Sequence, residues 1–236
     1  MENTLIILSE KNQPQIPQLS KQQNTALYNA GLLDILTEAC RLAECNPEMK
    51  VTLYSWENNK DIFWNNFVNN LSEANLTFDK HFENYFKRKV IYQQYTSDNY
   101  DEQIHFALNK ETADEDTEHV ILINCHCPML IGEMLDDAFY YLSENDIVLG
   151  GTKKGDLYLL GIHQIDPNFF EKIDFNSDIV YKNALFIAEE LKLDKVTLDI
   201  LDGITNMQDL TKLYEKLRQN GFAVNTANIL VKILQK

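Results

Sequence analysis

Two neighbouring stretches of the sequence decide the fold: His119–Pro128, HVILINCHCP, and Asp146–Gly161, DIVLGGTKKGDLYLLG. The first stretch contains the apolar run Val120–Ile123, which ends at the polar residue Asn124. A short strand that is apolar on both faces is typical of a sheet covered by helices on both sides. The run therefore predicts the central strand of an α/β sheet.

The same stretches predict where a ligand site lies. In open α/β sheets, ligands bind beyond the carboxyl ends of the strands. Residues 124–128 follow the central strand, and residues 150–156 contain three glycines that let the backbone approach a ligand closely. We therefore expect the site to lie where these two segments meet.

The rest of the chain alternates between strand-like and helix-like segments. Besides the central strand, the expected strands are Leu5–Leu8, Val51–Trp56, Val90–Gln94, Asp146–Leu149, Leu157–Ile162 and Val196–Leu201. The expected helices are a segment ending near Cys45, then Asp61–Leu71, Asp101–Lys110, Leu130–Leu142, Val180–Leu191, Met207–Leu217 and Ala227–Leu234. This alternation predicts a three-layer α/β/α sandwich with a Rossmann-like, mostly parallel sheet. A chain of 236 residues suits one such domain, spanning 1–236.

Three further segments carry specific expectations. Ser9–Asn24 is rich in glutamine and predicts a long polar loop that covers or binds something. The acidic run Glu111–Glu118 predicts a solvated loop before the central strand. Aromatic residues crowd a poorly patterned middle segment, where we expect core packing rather than a dimer surface. They are Phe63, Trp64, Phe67, Phe82, Tyr85 and Phe86.

The acidic composition excludes some classes of partner. Thirty-six acidic and 21 basic side chains give a net charge of −15, which repels nucleic-acid backbones and anionic membrane surfaces. The sequence has no run approaching the ~18 apolar residues that a membrane helix needs, and its start lacks the basic and apolar regions of a signal peptide. We therefore expect a cytoplasmic protein that binds neither nucleic acid nor membrane.

The four cysteines favour packing over metal binding. Cys40 and Cys45 lie in or at the end of a helical segment, where we expect both to pack in the core. Cys125 and Cys127 flank His126, and such a cluster of cysteine and histidine is a candidate zinc site. No second ligand pair stands at a zinc-like spacing, so strand-end packing is the favoured interpretation.

Four blocks follow one another in the carboxyl-terminal half. They are Asn124–Pro128 (NCHCP), Lys154–Gly161 (KGDLYLLG), Phe175–Ser177 (FNS) and Gly203–Asn206 (GITN). In order and spacing they resemble the arsenosugar-biosynthesis-type glycosyltransferase family, whose blocks read Gly-Ser-Asp-Cys-Pro, Asp-Gly-Gly-Tyr-Tyr-Leu-Ile-Gly, Trp-Ser-Thr and Asp-Val-Asp-Thr. The resemblance implies a glycosyltransferase-A fold, the fold of nucleotide-diphospho-sugar transferases, with a nucleotide sugar as the ligand.

The resemblance also implies a set of site residues. Those expected at the nucleotide or sugar are Asn124, Cys125, Pro128, Gly151, Thr152, Lys153, Lys154, Gly155, Ser177 and Thr205. Those expected at proton transfer are His126 and Asp156. A transferase of this fold holds Mg²⁺ or Mn²⁺ with carboxylates, because a hard cation prefers oxygen ligands and stabilises the departing diphosphate.

The carboxylates that would hold this cation are replaced in the present chain. His126 stands at the acid position of the first block and Lys154 at that of the second. Gly203 and Thr205 replace both acids of the last block. These exchanges predict that the chain has no resident metal cofactor.

Three functions remain open. In the first, the chain is a non-catalytic relative that serves as a ligand-binding or interaction module with a protein partner. The joint loss of the acids favours this function. Alternatively, it is a metal-independent glycosyltransferase, in which Lys153 and Lys154 offset the diphosphate charge and His126 or Asp156 moves protons. In the third, a metal is held by other acids, with Asp156, Asp178 and Asp202 as candidates.

Several candidates also have a simpler structural interpretation. Lys153 and Lys154 lie in a glycine-bounded corner, where lysines are commonly solvated turn residues. His126 is equally well explained as a hydrogen-bonded histidine at a strand end. Tyr158 is explained as a core residue, and Asn206 as the cap of the following helix.

Overall fold

The computed structural model describes residues 2–11, 13, 15–125, 127–130, 132–163 and 169–235. Its strands are β1 Glu2–Ser9, β2 Met49–Ser55, β3 Ile91–Gln94, β4 Thr117–Ile123, β5 Ile147–Gly151, β6 Leu157–His163 and β7 Lys195–Thr197. Its α-helices are α1 Lys21–Cys45, α2 Lys60–Glu73, α3 Lys80–Lys89, α4 Tyr100–Thr112, α5 Gly132–Leu142, α6 Val180–Glu190, α7 Met207–Asn220 and α8 Val224–Leu234. None of these helices is long and apolar enough to cross a membrane.

The strands of the described chain form one sheet in the order β3-β2-β1-β4-β6-β5-β7. Neighbours from β3 to β4 are parallel, and so are β5 and β7. Only β6 runs antiparallel to its neighbours, β4 and β5. The predicted mostly parallel sheet is confirmed. Because of this topology, the carboxyl ends of β1, β4 and β5 and the amino end of β6 meet at one edge, which we call the carboxyl edge.

Helices cover both faces of the sheet. Along β4, Ile121 and Ile123 pack into one apolar cluster, whereas Val120 and Leu122 pack into a second cluster on the other face. The first cluster includes α1, α2, α3, α5, α7 and α8, and the second includes α4 and α6. The alternation of apolar side chains along a strand thus builds two cores, and the predicted three-layer arrangement is confirmed.

The loop in the glutamine-rich segment Ser9–Asn24 is shorter than predicted, because helix α1 already begins at Lys21. The Ser20 hydroxyl accepts a hydrogen bond from the Gln23 backbone N–H at 3.2 Å, and the Gln23 side chain accepts one from the Ser20 N–H at 2.9 Å. This reciprocal capping starts α1 at Lys21. Asn24, expected in the loop, is buried and accepts a hydrogen bond from the Ile16 N–H at 2.8 Å. The loop therefore folds back onto the helix.

The helix α3 is not predicted by the sequence pattern. Asp79 caps it by accepting a hydrogen bond from the Phe82 N–H at 2.7 Å. The helix buries Phe82 and Phe86, and the Phe86 ring stacks on Trp64 with ring centroids 4.7 Å apart. The predicted core role of the aromatic cluster is confirmed for these residues, whereas Tyr85 is only partly buried.

The acidic run is not wholly a solvated loop. Its first residue, Glu111, lies in the last turns of α4 and is 8% exposed. The Tyr54 hydroxyl donates a hydrogen bond to the Glu111 carboxylate at 2.6 Å. This contact explains the difference, because a polar partner on β2 allows the carboxylate to be buried.

Three smaller predictions are also corrected. Cys45 is exposed rather than buried, because it lies at the end of α1 beyond the last core position. The late strand, β7, ends at Thr197, and the chain then follows β5 with single backbone hydrogen bonds, such as that from the Leu201 N–H to the Gly151 carbonyl at 3.0 Å. The last helix begins at Val224, earlier than predicted.

Candidate functional site

The two segments predicted to form the site meet at the carboxyl edge. The Asn124 N–H donates a hydrogen bond to the Tyr158 carbonyl at 3.0 Å, which places the end of β4 beside the start of β6. The Thr152 N–H donates to the Asp156 carbonyl at 2.8 Å and closes the corner between β5 and β6. Residues 124 and 152–156 are therefore brought together as expected.

The corner that carries the two lysines is held in one conformation. The buried Thr152 hydroxyl oxygen accepts hydrogen bonds from the backbone N–H groups of Lys154 and Asp156, both at 3.2 Å. Gly155 has a φ of +102°, and a Cβ at this position would lie 2.3 Å from the Asp178 carbonyl oxygen. The corner therefore requires glycine for its backbone conformation and for close contact with the segment before α6.

Ser177 lies in this adjoining segment. Its hydroxyl oxygen accepts hydrogen bonds from the Ile179 N–H at 3.3 Å and from the Asn183 side chain at 3.4 Å. Just beyond, the Tyr181 N–H donates to the Gly155 carbonyl at 2.9 Å. The predicted site residue Ser177 is therefore near the lysine corner, where it organises the start of α6.

The two lysines form ion pairs with acids that precede or begin α7. The Lys153 ammonium lies 2.7 Å from one Asp202 oxygen, and Lys216 contacts the other oxygen. The Lys154 ammonium lies 3.4 Å from Asp209. We call these five residues the lysine–aspartate network. Thr205, another predicted site residue, donates to Asp209 from its N–H at 3.0 Å and from its hydroxyl at 2.9 Å.

The donor set of this network does not fit a magnesium ion. A hard divalent cation requires carboxylate oxygens that are free to coordinate it. Both oxygens of Asp202 contact lysines, and the contacting oxygen of Asp209 is shared between Lys154 and Thr205. Among the described residues, the group of three candidate metal ligands lies elsewhere and does not include Asp156, Asp178 or Asp202.

The ion pairs of this network predict how the stability of the fold depends on pH. The Lys153 hydrogen bond, followed by that of Lys216, lowers the pKa of Asp202 to about 2. Because an unpaired aspartate titrates at about 3.9, the pairing should stabilise the fold above about pH 4 and be lost as the pH falls through about 2. A carbon-13 NMR titration should report this pKa, and Lys216→Met should raise it. An ordinary aspartate pKa in the unaltered protein would contradict the pairing.

A polar cleft of about 480 Å³ opens at the carboxyl edge next to Asn124. It is lined by Glu10, Asp98, Asn99, Tyr100, Gln103 and Asn176. The Tyr100 hydroxyl accepts a hydrogen bond from the Asn124 side chain at 3.3 Å. Burial raises the pKa of Tyr100 well above its usual value, and the nearby Glu10, Cys125 and Asp156 add to this effect. The phenol therefore remains neutral and can donate a hydrogen bond at neutral pH.

Sequence reasoning missed most of the cleft residues. Glu10 directly follows the carboxyl end of β1, so the rule that located Asn124 after β4 could also have found it. Tyr100 and Gln103 belong to the first turn of α4. Nothing in the local sequence marks these two residues, because they reach the edge only through the packing of α4 against the sheet.

Cys125 and Pro128 lie in more enclosed surroundings. Both are buried and line a cavity of about 60 Å³ together with Ile16 and Tyr28. Burial raises the pKa of Cys125, and it raises that of Cys127 to about 12. Both thiols are therefore protonated at neutral pH. His126, the predicted proton-transfer residue between them, lies outside the described residues.

Comparisons with known proteins agree with the fold. A family model described as "Uncharacterized protein conserved in bacteria (DUF2064)" matches residues 70–177. A comparison with curated proteins found no match. A solved structure from Desulfovibrio desulfuricans G20, provisionally named a nucleotide-diphospho-sugar transferase, is 16% identical with a TM-score of 0.72, and the match covers 98% of this chain and 95% of that one.

A second solved structure shares the architecture. The 4-diphosphocytidyl-2C-methyl-D-erythritol synthase from Anaerococcus prevotii DSM 20548 is 14% identical with a TM-score of 0.53, and the match covers 92% of this chain and 96% of that one. Identities this low establish a common fold and not a common reaction. The chain therefore has a nucleotide-diphospho-sugar transferase-like fold.

Proposed function

We propose that this protein binds the diphosphate of a nucleotide sugar at the carboxyl edge without a resident divalent cation, and that it acts as a ligand-binding or interaction module. The lysine–aspartate network carries this proposal. Its Lys154 stands in the second sequence block at a position where the resembled family has an acid, and Gly203 and Thr205 replace the acids of the last block. The protein ammonium groups would then supply the positive charge that a metal ion supplies in a metal-dependent transferase.

The charges and exposure of the network support this role. Three lysines contact two aspartates, which leaves one excess positive charge on a chain of net charge −15. The side chains of Lys153 and Lys154 are 65% and 39% exposed. Exposed ion pairs contribute only about 0–1 kcal/mol, whereas a hydrogen bond to a charged group contributes roughly 1.5–3 kcal/mol. The lysines can therefore turn from the aspartates towards a diphosphate at little cost.

The adjoining cleft suits the uncharged part of such a ligand. Carboxylates, amides and a neutral phenol line it, and these groups exchange hydrogen bonds with sugar hydroxyls. Asp98 is paired with Lys11 at 2.8 Å, whereas the Glu10 carboxylate would repel phosphate from the same cleft. We therefore place the hydroxyl-bearing part of the ligand in the cleft and the diphosphate beside the lysines.

The same network argues against metal-dependent transfer. In that chemistry a cation stabilises the charge of the departing diphosphate, and the two acids of the network, Asp202 and Asp209, are engaged with lysines. A metal-independent transferase is the alternative, and one observation favours it. Asp156 is exposed at the carboxyl edge on the same corner as Lys154, where its carboxylate could accept a proton.

A thermal-shift panel of nucleoside diphosphates and their sugars, in EDTA and in Mg²⁺, tests the proposal. At a concentration 100 times the Kd, a ligand stabilises the native state by about 2.7 kcal/mol. For a chain of this size, the expected rise in Tm is roughly 5–10 °C. We expect such a rise in EDTA for at least one ligand, whereas inorganic sulfate, which lacks a diphosphate, serves as the control for unspecific anion binding.

A product assay on the same panel separates the alternatives. The binding-module proposal predicts no hydrolysis and no transfer with any donor. Turnover in EDTA would instead establish the metal-independent transferase. Turnover that requires manganese would contradict both the binding module and the metal-independent transferase. It would mean that acids outside the network hold a metal ion.

A further inference from the structure

A second cluster of polar side chains lies at the opposite edge of the sheet. His119 in β4 and His163 in β6 stand directly opposite each other in the antiparallel register. Their ring centroids are 4.7 Å apart. One ligand atom from each histidine and one carboxylate oxygen of Glu118 lie within 4.8 Å of one another. Two imidazoles and a carboxylate therefore converge at this edge.

His119 is oriented as a metal-binding histidine would be. It is 7% exposed, and its Nδ1–H donates a hydrogen bond to the Asn3 side-chain oxygen at 2.8 Å. This bond leaves the lone pair on Nε2, which is buried and has no hydrogen-bond partner within the described part of the chain. A buried nitrogen without a partner is costly, and metal ligation is one way to satisfy it. Metal-binding histidines characteristically donate their other ring N–H to such an oxygen.

We propose that Glu118, His119 and His163 bind a borderline transition-metal ion of the zinc class. Two imidazole nitrogens and one carboxylate oxygen are a donor set that zinc accepts with a fourth position open to solvent. In a tetrahedral site with bonds of about 2.0–2.1 Å, ligand atoms lie about 3.3 Å apart. Glu118 and His163 are only half-buried and can rotate inwards, whereas His119 is already fixed.

The ion would act as a cross-link between strands. It would join β4 to β6, and through Asn3 its outer contacts extend to β1. These three strands are neighbours at the centre of the sheet. The cluster lies at the end of β4 opposite to Asn124, so this site is independent of the proposed nucleotide site.

Zinc titration of tag-free protein, read by calorimetry and by competition with a chromophoric chelator, tests this proposal. We expect one ion per chain and a higher Tm in zinc than in EDTA. His163→Gln should weaken binding by roughly 100-fold or more, because even the loss of an outer partner typically costs 10–100-fold. Asn3→Ala removes only that outer partner and should weaken binding by about 10–100-fold. Bound Co²⁺ should give visible absorption bands that change in both variants.

Two matched variants distinguish this site from others. His81→Gln removes an exposed histidine on α3, and Cys45→Ser removes the exposed thiol. Both should bind zinc as the unaltered protein does. The proposal is overturned if zinc affinity is lost in either control, or if His163→Gln, with its Tm in EDTA unchanged, binds zinc as tightly as the unaltered protein.

Discussion

Replacement of Phe86 by alanine is expected to lower the free energy of unfolding by about 3–5 kcal/mol. The side chain is fully buried, and its ring lies 4.7 Å from that of Trp64 and 6.1 Å from that of Phe63, measured between centroids. Removing it should leave a cavity between α2 and α3 that these large neighbours cannot fill. Urea denaturation followed by circular dichroism measures the change.

Phe186→Ala is the matched control for this prediction. Phe186 lies on α6 and is 59% exposed, so its removal deletes the same side chain without opening a cavity. We expect a change within about 0.5 kcal/mol. Equal losses in the two variants would mean that α3 and its aromatic contacts do not belong to the core.

Replacement of Lys154 by glutamate is expected to weaken binding of a nucleoside diphosphate by roughly 100-fold or more. The change places a negative charge beside the proposed diphosphate position and beside Asp209. Lys154→Met should weaken binding by roughly 10–100-fold, since it removes one charged hydrogen bond. Methionine also keeps the side-chain stem against Gly203, where a Cβ would lie 2.5 Å from the Lys154 Cγ. Calorimetry in EDTA measures each affinity.

Lys80→Glu provides the control for charge alone. Lys80 is an exposed residue in the first turn of α3, and its replacement changes the net charge by the same amount. We expect its nucleotide affinity to equal that of the unaltered protein. An affinity in Lys154→Glu that is also unchanged, with the protein folded, would remove the lysine corner from the binding site.

Strands were the most predictable elements of this fold. Unbroken apolar runs marked β1 and β4, because strands covered on both faces have few alternatives. β7 is an edge strand of three partly exposed residues, so its pattern is weak. The helix α3 has ten residues and only two buried ones, which is too few for a clear helical period. Ser20 and Gln23 have the spacing of a capping box, but the glutamine-rich surroundings favoured a loop, so the start of α1 was missed.

For the candidate site, the meeting of its two segments was predictable, whereas their side-chain contacts were less so. The strand-end rule correctly brought Asn124 to the corner at 152–156, because the topology determines which strand ends meet. The partners of the lysines could not be predicted. Asp202 and Asp209 come from a segment about fifty residues further along the chain, and only tertiary packing places them beside Lys153 and Lys154.

The packing shows what the exchange of an acid for Lys154 does to the charges at this corner. The sequence showed only that Lys154 stands where the resembled family has an acid. In the structure its ammonium lies beside Asp209, so a fixed protein cation and a carboxylate are adjacent. This pairing is one basis for the proposal that protein cations, and not a metal ion, supply the positive charge at the site.

Calorimetric titration of the unaltered protein with a nucleoside diphosphate, in EDTA and then in Mg²⁺, distinguishes binding by protein cations from binding that needs a metal ion. If protein cations take the place of the ion, the two titrations should give the same Kd to within experimental error. Binding that occurs only when Mg²⁺ or Mn²⁺ is present would contradict the account.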